Sequence, residues 1–171
     1  QLFGKDFSVQ IYVNPSMNEM GENGTSYSLF DVAGVFGITM TYDAANNQYL
    51  LGAKIGDNTN TTTLAIPRGE WRHLTCVHNA AAGTTTLYVT KDGELQQAAV
   101  FTDQQLDAGD GNAQVEAKVN LAYLSDYEQP TFKGFVDEFR FFTRALSERD
   151  ILRNYNHPLA GSETGLALYW P

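Results

Sequence analysis

FKGFVDEFRFFTRALS, residues Phe132 to Ser147, is a stretch that joins a strand, a turn and the start of a helix. Its first part is rich in Phe and Val with charged residues between them, a composition that suits a pleated strand buried on one side. Ser147 stands three residues before Asp150, so the serine hydroxyl and the carboxylate can satisfy free amides at a helix start. The stretch therefore predicts a strand followed by a short helix that runs to about Asn154.

Three further segments upstream have the composition of strands. They are Phe7–Pro15, Trp71–His78 and Thr86–Val89, the last of which leads to a turn at Asp92-Gly93. Taken in this order with the stretch above, they resemble laminin-G-like, concanavalin A-like jelly rolls over roughly residues 6 to 155. The resemblance covers a first core strand, a central Trp-x-His strand and a closing Gly-x-x-Asp-Glu strand that runs into Arg-Ala-Leu-Ser.

Further strands are predicted between short breaks rich in Gly, Asn, Asp and Thr. They cover Val35–Tyr42, Gln48–Ile55, Thr62–Ile66 and Val115–Leu124. With the resemblance, this pattern predicts an all-β fold, a two-sheet antiparallel jelly-roll sandwich with one short helix near the C-terminus. We expect residues 1–160 to form this laminin-G-like domain. Residues 161–171 are expected to add a terminal strand or to begin a following domain.

The composition indicates one acidic domain. A chain of 171 residues suits a single core, and its formal net charge of −9 disfavours nucleic acid, whose phosphates require clustered Lys and Arg. No apolar run approaches the ~20 residues of a membrane helix, so membrane insertion is not expected. The single cysteine, Cys76, is predicted to be buried. Because the chain starts at Gln1 without Met, we expect it to be part of a longer polypeptide.

Neither a catalytic centre nor a zinc site is predicted. His73 and His78 lie five residues apart in one strand, so the two-residue period places them on opposite faces. Glucanases of the superfamily that the chain resembles carry a Glu-x-Asp-x-x-Glu arrangement, which is missing here. Retaining enzymes also need two carboxylates about 5 to 5.5 Å apart, whereas the adjacent Asp137 and Glu138 would point to opposite faces. We therefore expect a protein that is not an enzyme.

Calcium is the one cofactor that the sequence suggests, because it prefers several carboxylate and carbonyl oxygens. Asp107 and Asp110 lie in a polar stretch, Thr102–Gln114, that is predicted to be a long surface loop. These two carboxylates either ligate a metal or belong to a solvated acidic loop.

Asp137 and Glu138 form a second acidic group. Strict alternation along the strand would place Asp137 on the face of Phe135 and Phe139, where a carboxylate needs a partner. The resemblance implies that the pair lies near a structural calcium or accepts hydrogen bonds from backbone amides. Both roles stay open.

Two aromatic groups beside amides or carboxylates are candidates for sugar binding, because sugars present apolar C–H faces and polar rims. The first group is Tyr49 with Asn46 and Asn47, and the second is Tyr123 and Tyr127 with Asp126. Since most aromatic side chains must fill the core, each group serves either the ligand or the packing. Core positions are predicted for Trp71, Phe139 and Phe141.

The resemblance implies a non-catalytic carbohydrate-binding module of an extracellular or cell-surface multidomain protein. A glycan or polysaccharide is then the expected partner. Two alternatives stay open, namely a protein-binding adhesion or scaffold domain and an accessory domain of a glycan-degrading enzyme. A concave surface with Tyr, Asn and Asp would favour a glycan, and an exposed apolar patch would favour a protein.

Overall fold

A computed structural model describes residues 5–15, 22–32, 36–55, 58–101, 119–121, 132 and 134–171. These residues form two compact units, each built on one antiparallel sheet. The predicted all-β jelly-roll class, with two antiparallel sheets and one short helix near the C-terminus, is confirmed. Within the described ranges, no helix has the length and apolar character needed to span a bilayer.

One unit holds a six-stranded sheet. Its strands are β1 (Phe7–Asn14), β6 (Arg72–Asn79), β7 (Thr84–Lys91), β8 (Glu94–Phe101), β10 (Phe135–Phe142) and β11 (Leu166–Trp170). Across the sheet they follow the order β11-β10-β1-β6-β7-β8. In the centre, β1 pairs antiparallel with β6, so that Ile11 faces Leu74 and Val9 faces Cys76. All four side chains are buried, which confirms the prediction for Cys76 and makes this pair of strands the frame of the unit.

The other unit holds a five-stranded sheet. Its strands are β2 (Ser26–Val32), β3 (Phe36–Asp43), β4 (Gln48–Ile55), β5 (Asn58–Pro67) and β9 (Val119–Leu121), in the order β5-β4-β3-β2-β9. β4 has the predicted bounds, but β5 begins at Asn58, four residues earlier than predicted. Asn58–Thr61 pairs with β4, because ladder pairing overrides the low strand propensity of Asn. β9 keeps only three residues of the predicted Val115–Leu124, and the others lie outside the described residues.

The turn at Asp92-Gly93 links β7 to β8, as predicted. Both residues have positive φ angles, 52° and 79°. Two consecutive positive φ angles are typical of the tight hairpin turn whose twist matches the flanking strands. The Asp-Gly dipeptide is therefore a local sequence signal that fixes this corner of the sheet.

The predicted helix is α1, Glu148–Asn154, and its start is capped as expected. The amide of Asp150 donates to the Ser147 hydroxyl at 3.1 Å, and the amide of Ser147 donates to the Asp150 carboxylate at 3.2 Å. Arg144 Nη1 also donates to that carboxylate, at 2.8 Å. This hydrogen bond is the largest cause that lowers the pKa of Asp150 to about 2. The helix start is thus held by side chains close in sequence.

The helix is fixed to the six-stranded sheet by a small apolar cluster. Ile151 packs with Val77, Phe142 and Leu146. On β1, the hydroxyl of Ser8 accepts from the amide of Leu146 at 3.0 Å and donates to the carbonyl of Arg144 at 2.9 Å. Because these contacts anchor both ends of the turn before α1, the residues that follow the helix are also held close to the sheet.

The terminal segment forms a strand of this sheet. β11 pairs antiparallel with β10, and Phe139 lies opposite Trp170 while Phe141 lies opposite Leu168. The amide of Thr143 donates to the carbonyl of Gly165 at 2.8 Å just outside the paired strands. Leu166–Trp170 is thus the edge strand next to β10 in the six-stranded sheet.

Candidate functional site

A concavity of about 310 Å³ opens on the unit that holds the six-stranded sheet. Its walls come from β1, from the residue just before β6, from the middle of β10 and from the segment after α1. Among the described residues, the lining side chains are Tyr12, Trp71, Asp137, Glu138, Arg140, Tyr155, Asn156, His157 and Pro158. We call this site the Trp71 concavity. It combines three aromatic rings with carboxylates and an amide, and its volume is at the low end of the range for small-ligand pockets.

Trp71 forms the exposed aromatic wall. It was predicted to lie in the core, but 46% of its surface is exposed, so that prediction is wrong. The reason is its position, since β6 starts only at Arg72 and Trp71 precedes the fully buried run of the strand. Phe139 and Phe141 are buried as predicted. An exposed indole beside polar groups is a surface on which an apolar ligand face can stack.

β10 changes its burial pattern at Glu138, which has a positive φ of 54°. Before it, Phe135, Val136 and Asp137 are exposed, and after it every residue to the end of the strand is buried. Strict alternation along this strand was therefore the wrong assumption. Asp137 is not held among Phe side chains, and its Oδ1 instead accepts from the amide of Glu138 at 2.9 Å. A bulky residue in this backbone region is strained, and such strain concentrates at functional sites.

A buried guanidinium forms the floor of the concavity. Arg140 is only 1% exposed, and burial of a charge requires partners. Its Nη2 donates to Glu138 Oε2 at 2.7 Å and to the carbonyl of His157 at 3.0 Å, and its Nη1 donates to the carbonyl of Asn154 at 2.7 Å. The hydroxyl of Tyr169 donates to the same Glu138 oxygen at 2.8 Å. This network joins β10, β11 and the segment after α1 into a rigid base.

Tyr12 and Tyr155 form the inner aromatic wall. The Tyr12 hydroxyl donates to the carbonyl of Tyr155, and the Tyr155 hydroxyl accepts from the amide of Asp92 at 2.9 Å. Burial, followed by the neighbouring Tyr155, raises the pKa of Tyr12 to about 12. Tyr12 therefore stays a neutral donor throughout the physiological range, and both rings are fixed by backbone partners rather than by solvent.

The histidines of β6 lie on opposite faces, as the strand period predicts. His73 packs against Tyr12 and Tyr155, with ring centroids 4.8 and 5.7 Å away, whereas His78 stacks on Phe7 at 5.1 Å. Both ring nitrogens of His73 lack a hydrogen-bond partner. Burial and then the charge of Arg140 lower the pKa of His73 to about 3. A neutral, fully buried imidazole supports the Tyr12 wall by packing and offers no ligand to a metal from solvent.

The predicted ligand group around Tyr49 is only partly at the surface. Tyr49 is 0% exposed and packs against Tyr27 and Tyr42, so its proposed stacking on a sugar is corrected to a packing role. Asn46 and Asn47 are exposed in the turn between β3 and β4. There the amide of Asn46 donates to Asp43 at 2.8 Å. The second group, Tyr123, Tyr127 and Asp126, lies outside the described residues.

Both carboxylates of the acidic pair in β10 accept hydrogen bonds from within the protein. Glu138 is engaged by a guanidinium and a tyrosine hydroxyl, and Asp137 accepts from the backbone. The parts of the chain that the structure describes contain no group of three or more His, Cys, Asp or Glu side chains suited to a metal ion. Asp107 and Asp110 lie outside those parts. Calcium at these two carboxylates stays a prediction.

Comparisons with solved structures show a shared fold at low sequence identity. The chain is 18% identical to a candidate carbohydrate-binding protein from Bacteroides ovatus, with a TM-score of 0.70, over 98% of this chain and 45% of that one. It is 17% identical to a heptameric SAP-like pentraxin from Limulus polyphemus, with a TM-score of 0.58, over 84% of this chain and 66% of that one. The chain thus spans less than half of the Bacteroides protein.

A third solved structure is the CBM40 domain of the Ruminococcus gnavus IT-sialidase, bound to α2,3-sialyllactose. It is 12% identical, with a TM-score of 0.56, over 90% of this chain and 83% of that one. At such identities these likenesses show the fold alone.

Comparison with curated protein sequences finds no significant match. A laminin-G family model, described as the concanavalin A-like lectin/glucanases superfamily, matches residues 1–152. That range includes β1 to β10 and the capped start of α1, so it covers the motifs that carried the resemblance in the sequence. The chain belongs to the laminin-G family of the concanavalin A-like lectin/glucanases superfamily.

Proposed function

We propose that this domain is a non-catalytic carbohydrate-binding module that holds a sugar in the Trp71 concavity, in an extracellular or cell-surface multidomain protein. The observation that carries the proposal is the half-exposed Trp71 next to Asp137 and Asn156, above a floor fixed by Arg140. An indole face suits the C–H face of a pyranose, and carboxylate and amide groups suit its hydroxyls. A rigid site also loses little entropy on binding.

Two of the structural relatives support this proposal. The Ruminococcus domain is bound to sialyllactose, and the Bacteroides protein is a candidate carbohydrate-binding protein. Because one fold can host many functions, these two relatives add to the argument from the concavity and do not replace it.

The carboxylates of the concavity favour binding over hydrolysis. Glycosidases use one carboxyl group as an acid and a second as a base or nucleophile. Here Glu138 is held by Arg140 and Tyr169, and Asp137 accepts from the amide of the next residue. Since Glu138 is engaged by two donors, Asp137 is left among the described lining residues as a single carboxylate, which cannot supply both roles. We therefore expect no hydrolysis of bound glycans.

The chain offers a matched pair of variants for the test. It has two tryptophans, and Trp71 and Trp170 are almost equally exposed, at 46% and 48%. Only Trp71 lines the concavity. The isolated domain, W71A and W170A would be screened on a broad glycan array, with calcium and with chelator. We expect W71A to lose at least ~10-fold in affinity, corresponding to the ~1–3 kcal/mol of an aromatic stacking contact, and W170A to bind like the unaltered domain.

Equal binding by W71A and the unaltered domain would overturn this assignment of the site. Loss of binding in the presence of chelator would indicate that binding needs calcium, with Asp107 and Asp110 as the candidate ligands. Hydrolysis of a bound glycan would refute the non-catalytic part of the proposal.

Protein binding is the second candidate function. Phe135 is 60% exposed and the adjacent Val136 is 38% exposed, at the start of β10. Exposed apolar side chains next to each other favour a protein partner. A blank glycan array in both conditions would favour this role, or that of an accessory domain to a glycan-degrading enzyme.

A further inference from the structure

We propose that the Trp71 concavity selects uncharged sugars and rejects sugars that carry a carboxylate. The inference rests on the proposed function and goes beyond it by naming the ligand class. It also separates this chain from the Ruminococcus domain that is bound to sialyllactose, although the two share a fold.

The first step concerns the positive charge that an acidic sugar would need. Proteins recognise carboxylates through Arg or Lys, most strongly when a guanidinium donates two parallel hydrogen bonds. Arg140 is the only Arg or Lys among the described lining residues. Its Nη1 and Nη2 are already engaged by Asn154, Glu138 and His157. With 1% of its surface exposed, it presents no free fork of donors to a ligand.

The second step concerns the negative charge in the site. Asp137 is exposed and lines the concavity. Its one hydrogen bond is to a backbone amide, and no cation among the described residues pairs with it. Glu138 and Arg140 neutralise each other, so Asp137 leaves the lining with an uncompensated carboxylate. Asp137 would repel a carboxylate on a ligand bound in the same concavity. The net charge of −9 adds to that repulsion.

The third step concerns what an uncharged sugar gains. The carboxylate of Asp137 accepts hydrogen bonds from sugar hydroxyls, and these charge-assisted bonds are stronger than neutral ones. Asn156 supplies both a donor and an acceptor. Trp71 contributes the apolar face, which does not distinguish charge. The same carboxylate therefore attracts hydroxyls and repels acids, and it sets the selectivity of the site.

The test uses pairs of glycans that differ only at the terminal residue, a hexose in one and the corresponding uronic acid in the other. Affinities would be measured at pH 8, where free imidazoles are uncharged, at low salt, for the unaltered domain and three variants. Asp137→Asn removes the negative charge that is proposed to repel acidic sugars. Glu94→Gln, at an exposed residue outside the lining, removes one charge elsewhere and is the matched control. Trp71→Ala reports whether the concavity binds at all.

We expect the hexose-ended glycan to bind at least ~10-fold more tightly than the uronic-acid-ended one. Asp137→Asn should reduce this ratio several-fold, and Glu94→Gln should leave it nearly unchanged. High salt should shrink the difference, because exposed charges are screened. The unaltered domain could bind the acidic glycan as tightly as the hexose-ended one, or more tightly, while Trp71→Ala binds neither. That result would overturn the proposed selectivity and leave the proposed function standing. Failure of every glycan, or binding insensitive to Trp71→Ala, would overturn the proposed function itself.

Discussion

Among single residues, Arg140 has the largest structural consequence. It lies between two buried Phe residues of β10. Among the described residues, Glu138 and backbone carbonyls compensate its charge, and its guanidinium lies 5.8 Å from the centroid of the Tyr169 ring. The sequence contains a signal for the pairing of Arg140 with Glu138. A basic residue between Phe139 and Phe141 in a predicted strand requires an acidic partner, and Glu138 lies two residues away. That it reaches Arg140 through a positive φ was not readable from the sequence.

Replacement of Arg140 by Met should be strongly destabilising. It removes the guanidinium donor from two carbonyls and from Glu138, which keeps the Tyr169 hydroxyl. Loss of one partner of a buried pair costs about 3–5 kcal/mol. The free energy of unfolding would be measured by urea denaturation followed by circular dichroism.

Arg153→Met is the matched control for this measurement. Arg153 is 68% exposed and lies 3.4 Å from Asp150, so its loss should cost no more than ~1 kcal/mol. If the two variants lost similar amounts of unfolding free energy, burial of Arg140 would not be what sets its contribution to stability.

At the level of elements, local sequence signals explain a turn in the six-stranded sheet and the start of the helix that packs on it. The Asp92-Gly93 turn and the Ser147 cap depend on residues close in sequence, and both form as predicted. The early start of β5 was missed because Asn has a low strand propensity, which the pairing of Asn58–Thr61 with β4 overrides. Burial of Tyr49 was missed because its neighbours Tyr27 and Tyr42 come from other strands.

The helix cap should make stability depend on acid. The pKa of Asp150 is lowered to about 2 from an ordinary value of 3.8, first by Arg144. A carboxyl group whose pKa is lower in the folded state stabilises the fold above its unfolded pKa, and this contribution is lost as the pH falls through the folded value. Between about pH 4 and pH 2, the unaltered domain should therefore lose more stability than Asp150→Asn.

At pH 7, Asp150→Asn should itself cost about 1–2 kcal/mol through the weakened cap. Urea denaturation at several pH values would measure both effects. Glu148→Gln, in the same helical turn but outside the capping box, should keep the acid dependence. Parallel pH profiles for the unaltered domain and Asp150→Asn would contradict the assignment of this effect to Asp150.

For the whole molecule, Cys76 offers a probe of global opening. It is the only cysteine, it is 0% exposed at the centre of the β1–β6 pair, and burial raises the pKa of its thiol. Reaction with a thiol reagent requires both access and a thiolate. Labelling of the native domain should therefore be slower than in denaturant by at least on the order of 10³-fold.

A saturating sugar ligand should slow this labelling further, since it stabilises the folded state. Mass spectrometry of timed samples would measure the rate, with W71A as the variant in which the ligand has no effect. Rapid labelling in native buffer would mean that the central strands open locally.

Local patterns in the sequence were enough to predict the fold class, most of the strands, the capped helix and the buried cysteine, whereas β2 and β8 were not predicted. These predictions were possible because turn chemistry, capping and strand composition act between residues close in the chain. The candidate site, by contrast, depends on tertiary contacts. Tyr12, Trp71, Glu138 and Tyr155 come from four separate segments, and no local pattern brings them together. Whether an aromatic ring packs or faces solvent is settled by neighbours distant in sequence, which is why Trp71 was assigned to the core and Tyr49 to the surface.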